Sequence, residues 1–496
     1  MKSIWIDSVE KIESSGELND NINTEVCIVG AGITGITTAY YLVEKGYKVV
    51  VIEKEDIANG VTGYTTAKVT SEHGLIYHYL LEQYGLEFAK KYFEANESAI
   101  KNIKRIIDKN KIECDFEFKD SYVYTSKESE LPKIKEEAKA LKKINAKASE
   151  TNEVSLPFKI LDAIKFENQA QFNPLKYIKG LTEHILEKGG KIYTNTLCID
   201  IKKEDEDYVV YANKKIHAKY VVLACQYPFL KIPGLYFAKM YQSSSYVIGV
   251  DTKDSLPNGM YISVESPIYS FRTAKINDKE ILLLGGAGHK TGEKTSYEES
   301  YGALEKRAKN LYPNSEILYK WSTRDAVTLD KIPYIGEYSM LMPNVYIATG
   351  FNKWGMTSSN VAANIIVDKI DGVRNEYEEV FRATRVHPVV NKDEVKNMVV
   401  ESTKSLVGGR FKKEKLKIED IELDSGGIVD VDGEKVGVYI DENGEKYFIK
   451  PVCTHLGCIL EWNDADKTWD CPCHGSRFSL DGELIKGPAI TSLTKK

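Results

Sequence analysis

Two cysteine–histidine pairs near the end of the 496-residue chain have the residue types and spacing of a metal centre. His455 follows Cys453 by two positions, His474 follows Cys471 by three, and fifteen residues separate the pairs. Thiolates and imidazoles are ligands that transition metals prefer. A zinc site would use only some of the Cys and His groups in this segment, and a disulfide knot would leave both histidines unexplained. A [2Fe–2S] cluster held by two thiolates and two imidazoles would use both pairs.

The motifs that contain these pairs, CTHLGC and CPCHGS, resemble those of the Rieske [2Fe–2S] domain family over about residues 416–496. The resemblance implies that Cys453 and Cys471 bind one iron and that His455 and His474 bind the other. A Rieske-type [2Fe–2S] cluster is therefore an expected cofactor.

The same resemblance implies roles for the remaining residues of the two motifs. Cys458 and Cys473 match the cysteines that form a disulfide between the cluster loops in Rieske proteins of the cytochrome bc type. Ser476 matches a serine that donates a hydrogen bond to a cluster sulfur. Phe478 stands where high-potential members have a tyrosine, so one donor is absent and a lower reduction potential is expected.

A glycine-rich turn near the start of the chain has the form of a dinucleotide-binding fingerprint. The stretch VCIVGAGITG places Gly30, Gly32 and Gly35 in GxGxxG spacing between a strand and a helix. Glu53 ends the next strand, 18 residues beyond Gly35. Gly30 permits the tight turn, Gly32 the approach of a pyrophosphate and Gly35 the packing of helix on strand, while Glu53 suits a ribose hydroxyl.

Residues 20–375 resemble the D-amino-acid oxidase/glycine oxidase family of FAD-dependent oxidoreductases. The resemblance is carried by the fingerprint, by RDAVTLDKIPYIG at 324–336 and by Gly350 and Gly355 before a late helix. It implies an FAD cofactor, with Thr66 in a Gly/Thr-rich loop and both late glycines among the cofactor-binding residues. The positive end of that helix dipole would stabilise charge on reduced flavin.

Three residues are candidates for the catalytic site. Arg324 matches the arginine that pairs with a substrate carboxylate in glycine-oxidase-like enzymes, a task that suits its two-pronged guanidinium. A structural ion pair with Asp325 or Asp330 is the alternative. Lys68 and His73 lie on the loop expected near the flavin, where either residue could also serve only in polar packing.

The predicted fold class is an α/β (α+β) flavoprotein with a Rossmann-like FAD-binding domain, an antiparallel-sheet substrate domain and a small all-β Rieske domain. The expected division is an FAD-dependent module at 1–385, a connector at 386–415 and the Rieske domain at 416–496. Within the module, the FAD-binding parts are about 20–80, 150–230 and 340–375, and the substrate parts are about 81–149 and 231–339.

The composition restricts the classes of partner and the cellular location that we expect. The net charge of −6 disfavours binding of nucleic acid through a basic surface. No apolar run reaches the roughly 18 residues of a membrane helix, and the first residues lack the features of a signal peptide. A cytoplasmic protein without a membrane span is expected, and homo-oligomer formation stays open.

Together these parts predict an electron relay. A small substrate such as an amine or amino acid would reduce FAD, and electrons would pass singly through the cluster to an acceptor protein or a small acceptor. A dehydrogenase is favoured over an oxidase, because oxygen takes electrons directly from reduced flavin and would not need the cluster.

Three other functions are alternatives to the relay. A non-catalytic electron-transfer or redox-sensing protein, with a flavin reduced by a partner, is the main alternative. A Rieske oxygenase would need two histidines and a carboxylate for a mononuclear iron, and His73 and His78 are the nearest approach to such a pair. An NAD(P)H-dependent reductase is disfavoured because no second dinucleotide fingerprint is present.

Overall fold

A computed structural model describes residues 2–230, 233–276, 279–291, 296, 298–385 and 416–496. The connector expected at 386–415 lies outside these residues. The helices of the described residues are α1 (Ile4–Asp7), α2 (Ile33–Glu44), α3 (Tyr77–Tyr84), α4 (Leu86–Asn110), α5 (Leu131–Lys143), α6 (Pro174–Glu187), α7 (Ala303–Leu311), α8 (Gly355–Ile370) and α9 (Glu378–Phe381). None of them combines the length and apolar character needed to cross a bilayer.

The strands belong to four sheets. In chain order they are β1 (Ile22–Val29), β2 (Val49–Ile52), β3 (Lys68–Val69), β4 (Glu117–Thr125), β5 (Ala148–Thr151), β6 (Asp162–Gln171), β7 (Lys191–Tyr193), β8 (Asp200–Glu204), β9 (Asp207–Tyr211), β10 (Lys215–Leu223), β11 (Met240–Asp251), β12 (Met260–Ser263), β13 (Tyr269–Ile276), β14 (Lys279–Lys290), β15 (Glu316–Thr328), β16 (Tyr334–Glu337), β17 (Val345–Thr349), β18 (Ser425–Val431), β19 (Glu434–Ile440), β20 (Lys446–Ile449), β21 (Glu461–Asn463), β22 (Thr468–Asp470), β23 (Arg477–Phe478) and β24 (Leu484–Lys486).

The first sheet is the parallel core of the chain. Its strands follow the order β16-β17-β10-β1-β2-β7, and β9 and β8 add an antiparallel extension beside β10. Strand β1 pairs in parallel with β2 and β10, so the carboxyl ends of these strands meet at one edge. Strands β2 and β17 are buried along their whole length, as is typical of a parallel sheet covered on both faces. The carboxyl edge of such a sheet is where dinucleotides bind.

The second sheet is mixed and larger. Its order is β15-β11-β14-β13-β12-β4-β6-β3, with β5 beside β6, and β4 and β12 form its parallel pair. The edge strand β15 pairs with β11 from Met240↔Thr328 to Asp251↔Glu316, with one irregularity near Gly249. This long antiparallel ladder sends alternate side chains to opposite faces of the sheet.

The C-terminal unit, residues 416–496, is built from two small sheets, β18-β19-β20 and β21-β22-β23-β24. Ile449, Leu460, Trp469 and Phe478 are fully buried at its centre. The two Cys/His motifs occupy the loops that precede β21 and follow β22. The unit is therefore all-β, as predicted, and its core packs against the cysteines of the two loops.

The sheets do not follow the division made from sequence motifs. Strands β3 and β6 pair in the second sheet, although they lie within 20–80 and 150–230, the ranges predicted for the FAD-binding part. Strand β16, within 231–339, pairs in the first sheet. Motif order along a chain does not record which distant strand supplies the hydrogen bonds, so these partners could not be assigned from sequence.

A buried ion pair joins the end of the flavoprotein module to its sheets. Arg385 donates to both carboxylate oxygens of Asp330, at 2.8 and 2.9 Å, and its guanidinium lies 3.8 Å from the centroid of the Tyr334 ring. Both charged side chains are almost completely buried. The guanidinium also donates to backbone carbonyls, including those of Ile332 and Pro333, so what each side chain takes from the other is its buried counter-charge.

Replacing Asp330 with Asn should lower the free energy of unfolding by about 3–5 kcal/mol, because Arg385 would be left as a buried charge without a counter-ion. Urea denaturation followed by circular dichroism would measure the loss. Asp108→Asn is the matched control, since it breaks an exposed helix pair with Lys104 and should cost less than about 1 kcal/mol. Equal effects of the two variants would contradict the prediction.

Candidate cofactor sites

The glycine turn after β1 has the shape of a dinucleotide cradle. Gly30 has φ +112°, and a Cβ there would lie 2.9 Å from the Ala224 carbonyl oxygen. A Cβ on Gly35 would lie 1.9 Å from the Gly30 oxygen. Gly32 is the N-cap of α2, and the first amide of the helix, that of Ile33, donates to the Thr62 hydroxyl at 3.0 Å. The later amides of the first turn can be presented to a phosphate, and bulkier residues would close the glycine turn.

Glu53 lies directly after β2, beside this turn. One carboxylate oxygen accepts a hydrogen bond of 2.9 Å from the Ala31 amide, and the other accepts from the Glu55 amide at 3.3 Å. Burial raises the pKa of Glu53. A carboxylate at the carboxyl edge of the sheet, next to a bare glycine turn, fits an adenosine ribose and pyrophosphate.

The loop at 61–67, which contains Thr66, is held by its backbone carbonyls. Five consecutive carbonyls each accept a hydrogen bond from a distant side chain: Gly63 from Ser3, Tyr64 from Trp321 at 2.9 Å, Thr65 from Trp5 at 2.7 Å, and Thr66 and Ala67 from Arg272 at 2.8 and 2.7 Å. Because the C=O and N–H of a peptide unit point in opposite directions, the N–H groups of Thr65 and Thr66 face away from these donors. We call this set of contacts the carbonyl harness.

Arg272 is the central donor of the harness. It is buried, it also donates to the Thr273 carbonyl at 2.9 Å, and its guanidinium lies 5.2 Å from the Trp5 ring centroid. Burial lowers its pKa to about 9. The roles of Arg272, Trp5 and Trp321 are not predictable from the sequence, since a single arginine or tryptophan far from any motif carries no signal of such a role.

Lys68 directly follows the 61–67 loop, and its side chain contacts the second sheet. Its ammonium donates to the Tyr261 carbonyl at 2.9 Å and to the Ser270 hydroxyl at 2.5 Å. Burial lowers its pKa to about 8, with Glu72 opposing the shift and Arg272 adding to it. Lys68 is thus on the same side of the sheet as Arg272, and its catalytic role stays a prediction.

His73 is enclosed on all sides. Nδ1 lies 2.8 Å from the Tyr92 hydroxyl, Nε2 lies 2.9 Å from the Thr70 carbonyl oxygen, and the ring stacks on Trp354 with centroids 4.9 Å apart. Burial lowers its pKa to about 3, so the imidazole is neutral near pH 7. These contacts favour polar packing beside the start of α8 over transfer of a proton.

Gly350 and Gly355 frame the turn that leads into α8. Gly350 has φ +71°, and a Cβ there would lie 2.3 Å from a methyl carbon of Thr328. Gly355 is the first residue of α8. Trp354, the residue before it, stacks on the His73 ring. The start of α8 therefore lies beside His73, six residues beyond the 61–67 loop.

The two Cys/His loops repeat one backbone turn. In the first, the Gly457 amide donates to the Cys453 carbonyl at 2.9 Å; in the second, the Gly475 amide donates to the Cys471 carbonyl at 2.8 Å. Both glycines have positive φ, +78° and +75°. Each cysteine amide in turn donates at 2.8 Å to the carbonyl five residues on, Cys458 or Ser476. The loops therefore present their cysteines in equivalent positions.

The sulfurs of Cys453 and Cys471 receive backbone N–H groups. The amides of His455 and Leu456 donate to the Cys453 sulfur, and a hydrogen bond between the two thiols lowers the pKa of Cys453 and raises that of Cys471. The amides of His474 and Cys473 donate to the Cys471 sulfur. Sulfurs surrounded by amide donors are suited to carry negative charge, as thiolate ligands of a cluster do.

The two imidazoles complete the donor set. The rings of His455 and His474 lie with centroids 5.0 Å apart and an interplanar angle of 88°, and both residues are buried. Nδ1 of His474 is buried and has no hydrogen-bond partner among the described residues, as expected of a nitrogen reserved for a metal. The set of two thiols and two imidazoles therefore fits a Rieske cluster.

Cys458 and Cys473 are joined by a disulfide with an S–S distance of 2.07 Å, the pairing that the Rieske resemblance implies. Their sulfurs lie within 4.8 Å of that of Cys471. A disulfide sulfur has no thiolate to offer, so these cysteines tie the two loops together. The Ser476 hydroxyl donates to the Cys453 sulfur and accepts from the Ala489 amide at 2.9 Å.

The strand pair β11–β15 separates these two sites. On one face, Trp321 reaches the carbonyl harness, and Val247, its cross-strand partner, packs in the same core. On the other face, Ser322 donates to Asp466 of the C-terminal unit at 2.9 Å. Alternation along β15 therefore directs odd-numbered residues near 321–325 to the loop side and even-numbered residues to the iron–sulfur side.

Arg324 lies on the iron–sulfur side. Its guanidinium donates to the Gly475 carbonyl at 3.1 Å and lies 3.8 Å from a carboxylate oxygen of Asp470, with only 3% of the residue exposed. The structure therefore separates Arg324 from Lys68 and His73. The role implied by the family resemblance would need the side chain on the opposite face of β15.

The Cys/His loops dock directly onto this face. The Gln242 side-chain amide donates to the His474 carbonyl at 2.9 Å. The Phe237 ring lies edge-on to both imidazoles, with centroids 5.7 Å from His474 and 6.5 Å from His455. The imidazole end of the metal site is therefore covered by the flavoprotein module.

A dinucleotide-binding sheet joined to a thiol–imidazole metal site defines a flavoprotein with an iron–sulfur domain, and the comparisons with known proteins agree. Residues 25–369 match the family of FAD dependent oxidoreductases, and residues 414–495 match the Rieske [2Fe-2S] domain. The chain belongs to the FAD-dependent oxidoreductase family and carries a C-terminal Rieske domain. Its cofactors are FAD and a [2Fe–2S] cluster, and the predicted fold class is confirmed.

Two curated proteins and one solved structure are similar to this chain. YhfW of Bacillus subtilis, which carries the name of a Rieske 2Fe-2S iron-sulfur protein, is 40% identical over 99% of this chain and 97% of its own. Gamma-glutamylputrescine oxidoreductase of Escherichia coli is 24% identical over 76% of this chain and 90% of its own. Glycine oxidase from Geobacillus kaustophilus shares the fold, with a TM-score of 0.61 and 15% identity over 74% of this chain and 99% of its own.

Replacing Trp5 with Phe should weaken FAD binding about 2- to 10-fold, because the Thr65 carbonyl loses one neutral hydrogen bond and the loop loses part of its harness. Fluorescence titration of the FAD-depleted protein would measure the dissociation constant. Trp462→Phe removes an indole N–H from the Rieske domain and should leave FAD binding unchanged. Unaltered binding in Trp5→Phe would show that the harness does not position the cofactor.

Replacing Ser476 with Ala should lower the reduction potential of the cluster, because the reduced form loses a hydrogen bond to a ligand sulfur. A redox titration followed by electron paramagnetic resonance would measure the shift. Ser479→Ala is the control, since that hydroxyl pairs with Asp481 instead of the sulfur. The prediction fails if both variants keep the wild-type potential.

Proposed function

We propose that the protein is a dehydrogenase that oxidises a small amine or amino acid and passes electrons singly from FAD through the Rieske cluster to an acceptor. Bound FAD would supply two-electron chemistry and the cluster one-electron chemistry. The observation that carries the proposal is the docking of both Cys/His loops on the flavoprotein module.

The docked contacts support a fixed path between the two sites. Gln242 and Arg324 bind consecutive carbonyls of the second cluster loop, those of His474 and Gly475. Opposite Arg324, the same strand pair contacts the carbonyl harness through Trp321. One sheet thus lies between the loop of the flavin site and the loop of the cluster. The two loops contact opposite faces of the same strand pair, and this arrangement favours transfer within one chain.

A second polar network, separate from the hydrogen bonds to the second cluster loop, supports the same docking. Arg477 pairs with Asp470 at 2.8 Å and with Asp466 at 2.8 Å, while Asp466 also accepts from Ser322. Burial and the nearby Asp470 carboxylate raise the pKa of Asp466 to about 6. These charges pair within the Rieske domain, and docking on β15 adds the Ser322 hydroxyl to Asp466 and the Arg324 guanidinium, 3.8 Å away, to Asp470.

The substrate class is supported by the relatives. Gamma-glutamylputrescine oxidoreductase and glycine oxidase are named for an amine and an amino acid, and they cover most of the flavoprotein module.

Anaerobic stopped-flow mixing with a panel of amines and amino acids tests the proposal. Flavin absorbance should bleach first, and the cluster should then be reduced. Cys453→Ser should retain bleaching and lose transfer to a one-electron acceptor such as ferricyanide through the cluster. If no substrate bleaches the flavin but a reduced partner protein does, the chain is an electron carrier without its own catalysis.

Replacing Arg324 with Met should slow flavin-to-cluster transfer about tenfold or more, because loss of a charge-assisted hydrogen bond destabilises the docked arrangement. The rate of cluster reduction after flavin bleaching would measure this. Arg382→Met removes an exposed arginine paired with Glu379 and should not change the rate. Equal rates in the two variants, with intact flavin and cluster spectra, would exclude Arg324 from the path.

A further inference from the structure

The open edge of β15 is bound by the two loops that follow β10 and β17, neighbouring strands of the first sheet. In an antiparallel ladder, alternate residues direct their N–H and C=O groups away from the partner strand. On β15, which ends its own sheet, these residues include Arg324, Ala326 and Thr328, and their outward groups are bound by Gln226 and Asn352. The two loops thus take the place of a further strand.

Gln226 holds the carbonyl of Arg324. Its side-chain amide donates to that carbonyl oxygen, and its own carbonyl accepts from the Thr349 hydroxyl at 2.6 Å. Two residues earlier, the Ala224 amide donates at 2.9 Å to the carbonyl of Val29, the last residue of β1. Gln226 is therefore fixed to the carboxyl edge of the dinucleotide-binding sheet and reaches β15 with its side chain.

Asn352 holds the next two outward positions of β15. Its amide donates to the Ala326 carbonyl at 3.2 Å, and its side-chain oxygen accepts from the Thr328 amide at 2.8 Å. Its φ is +52°, in the left-handed region that asparagine tolerates better than most residues. We call the contacts of Gln226 and Asn352 with β15 the edge clamp.

The Arg324 side chain extends from the clamped edge to the second cluster loop. Its guanidinium donates at 3.1 Å to the carbonyl of Gly475, the residue after the predicted ligand His474, and only 3% of Arg324 is exposed. Reduction adds one electron, and hence one negative charge, to the cluster. A buried cation beside its loop stabilises that charge more strongly than a cation in water would.

The carboxylate next to Arg324 acts in the same direction. Asp470 lies 3.8 Å from the Arg324 guanidinium and pairs with Arg477 at 2.8 Å. Loss of the Arg324 charge would leave this buried carboxylate with one cation fewer. Addition of a further negative charge to the cluster would then be less favourable.

We propose that Arg324 raises the reduction potential of the cluster and that Gln226 is the residue that positions Arg324 for this task. The flavoprotein module then contributes a fixed positive charge to the electrostatics of the Rieske domain, and Gln226 acts only through that charge. These roles go beyond the proposed function, because they require neither an amine substrate nor electron transfer from the flavin.

A redox titration of the FAD-loaded protein with dithionite and mediators, followed by electron paramagnetic resonance, tests both roles. Arg324→Met should lower the reduction potential of the cluster. Gln226→Met should lower it by a smaller amount, because the guanidinium keeps its charge and loses its fixed position. The double variant should have the potential of Arg324→Met alone, since Gln226 has nothing to position once the charge is absent.

Two further variants are matched to these changes. Gln83→Met removes an exposed glutamine side chain from α3 and should keep the wild-type potential. Arg324→Lys keeps a positive charge, so its potential should lie above that of Arg324→Met. FAD content and the amplitude of the cluster signal would verify that each variant is folded and loaded.

Four results would overturn these roles. A wild-type potential in Arg324→Met, or equal potentials in Arg324→Lys and Arg324→Met, would remove the role of the charge. A wild-type potential in Gln226→Met, or shifts that add in the double variant, would show that Gln226 does not act through Arg324. The expected shifts in a protein whose flavin no amine reduces would support both roles and refute only the proposed dehydrogenase.

Discussion

The hydrogen-bonded ladder between β11 and β15 is the constraint on which both sites depend. Because side chains alternate along a strand, Trp321 and Asp325 face the flavin loop while Ser322 and Arg324 face the Rieske domain. A slip of one residue in this register would exchange the two sets and break both groups of contacts. The register of one strand pair thus determines the contacts with the 61–67 loop and those with the Rieske domain.

The environment of the cluster is shared between two parts of the chain. Backbone amides of its own loops surround the sulfurs of Cys453 and Cys471, whereas Phe237 of the flavoprotein module covers the imidazoles. Local turns can build the sulfur side in any Rieske domain, but the imidazole side is completed only by docking. The reduction potential of the cluster should therefore depend on the docking of the Rieske domain as well as on the hydrogen bonds to the ligand sulfurs.

Residues whose role depends on local sequence were predictable, and residues whose role depends on strand faces were not. The glycine turn, Glu53 and the Cys/His pairs lie within short motifs whose spacing follows from one strand, one turn or one ligand set. Arg324 was assigned from a motif, but the face of β15 on which it lies is set by pairing with a strand some 80 residues earlier. The carbonyl harness joins residues that are hundreds of positions apart, so no local pattern could reveal it.

The harness also has a consequence for the order of assembly. Its donors Ser3 and Trp5 precede the loop by 60 residues, while Arg272 and Trp321 follow by more than 200. A nascent chain that has already completed the glycine turn must therefore wait for β13 and β15 before the loop acquires its final shape. Because contacts this distant in sequence form late and slowly, flavin capture should be a post-translational event, and a stalled or truncated chain should emerge with a formed Rossmann turn and no bound cofactor.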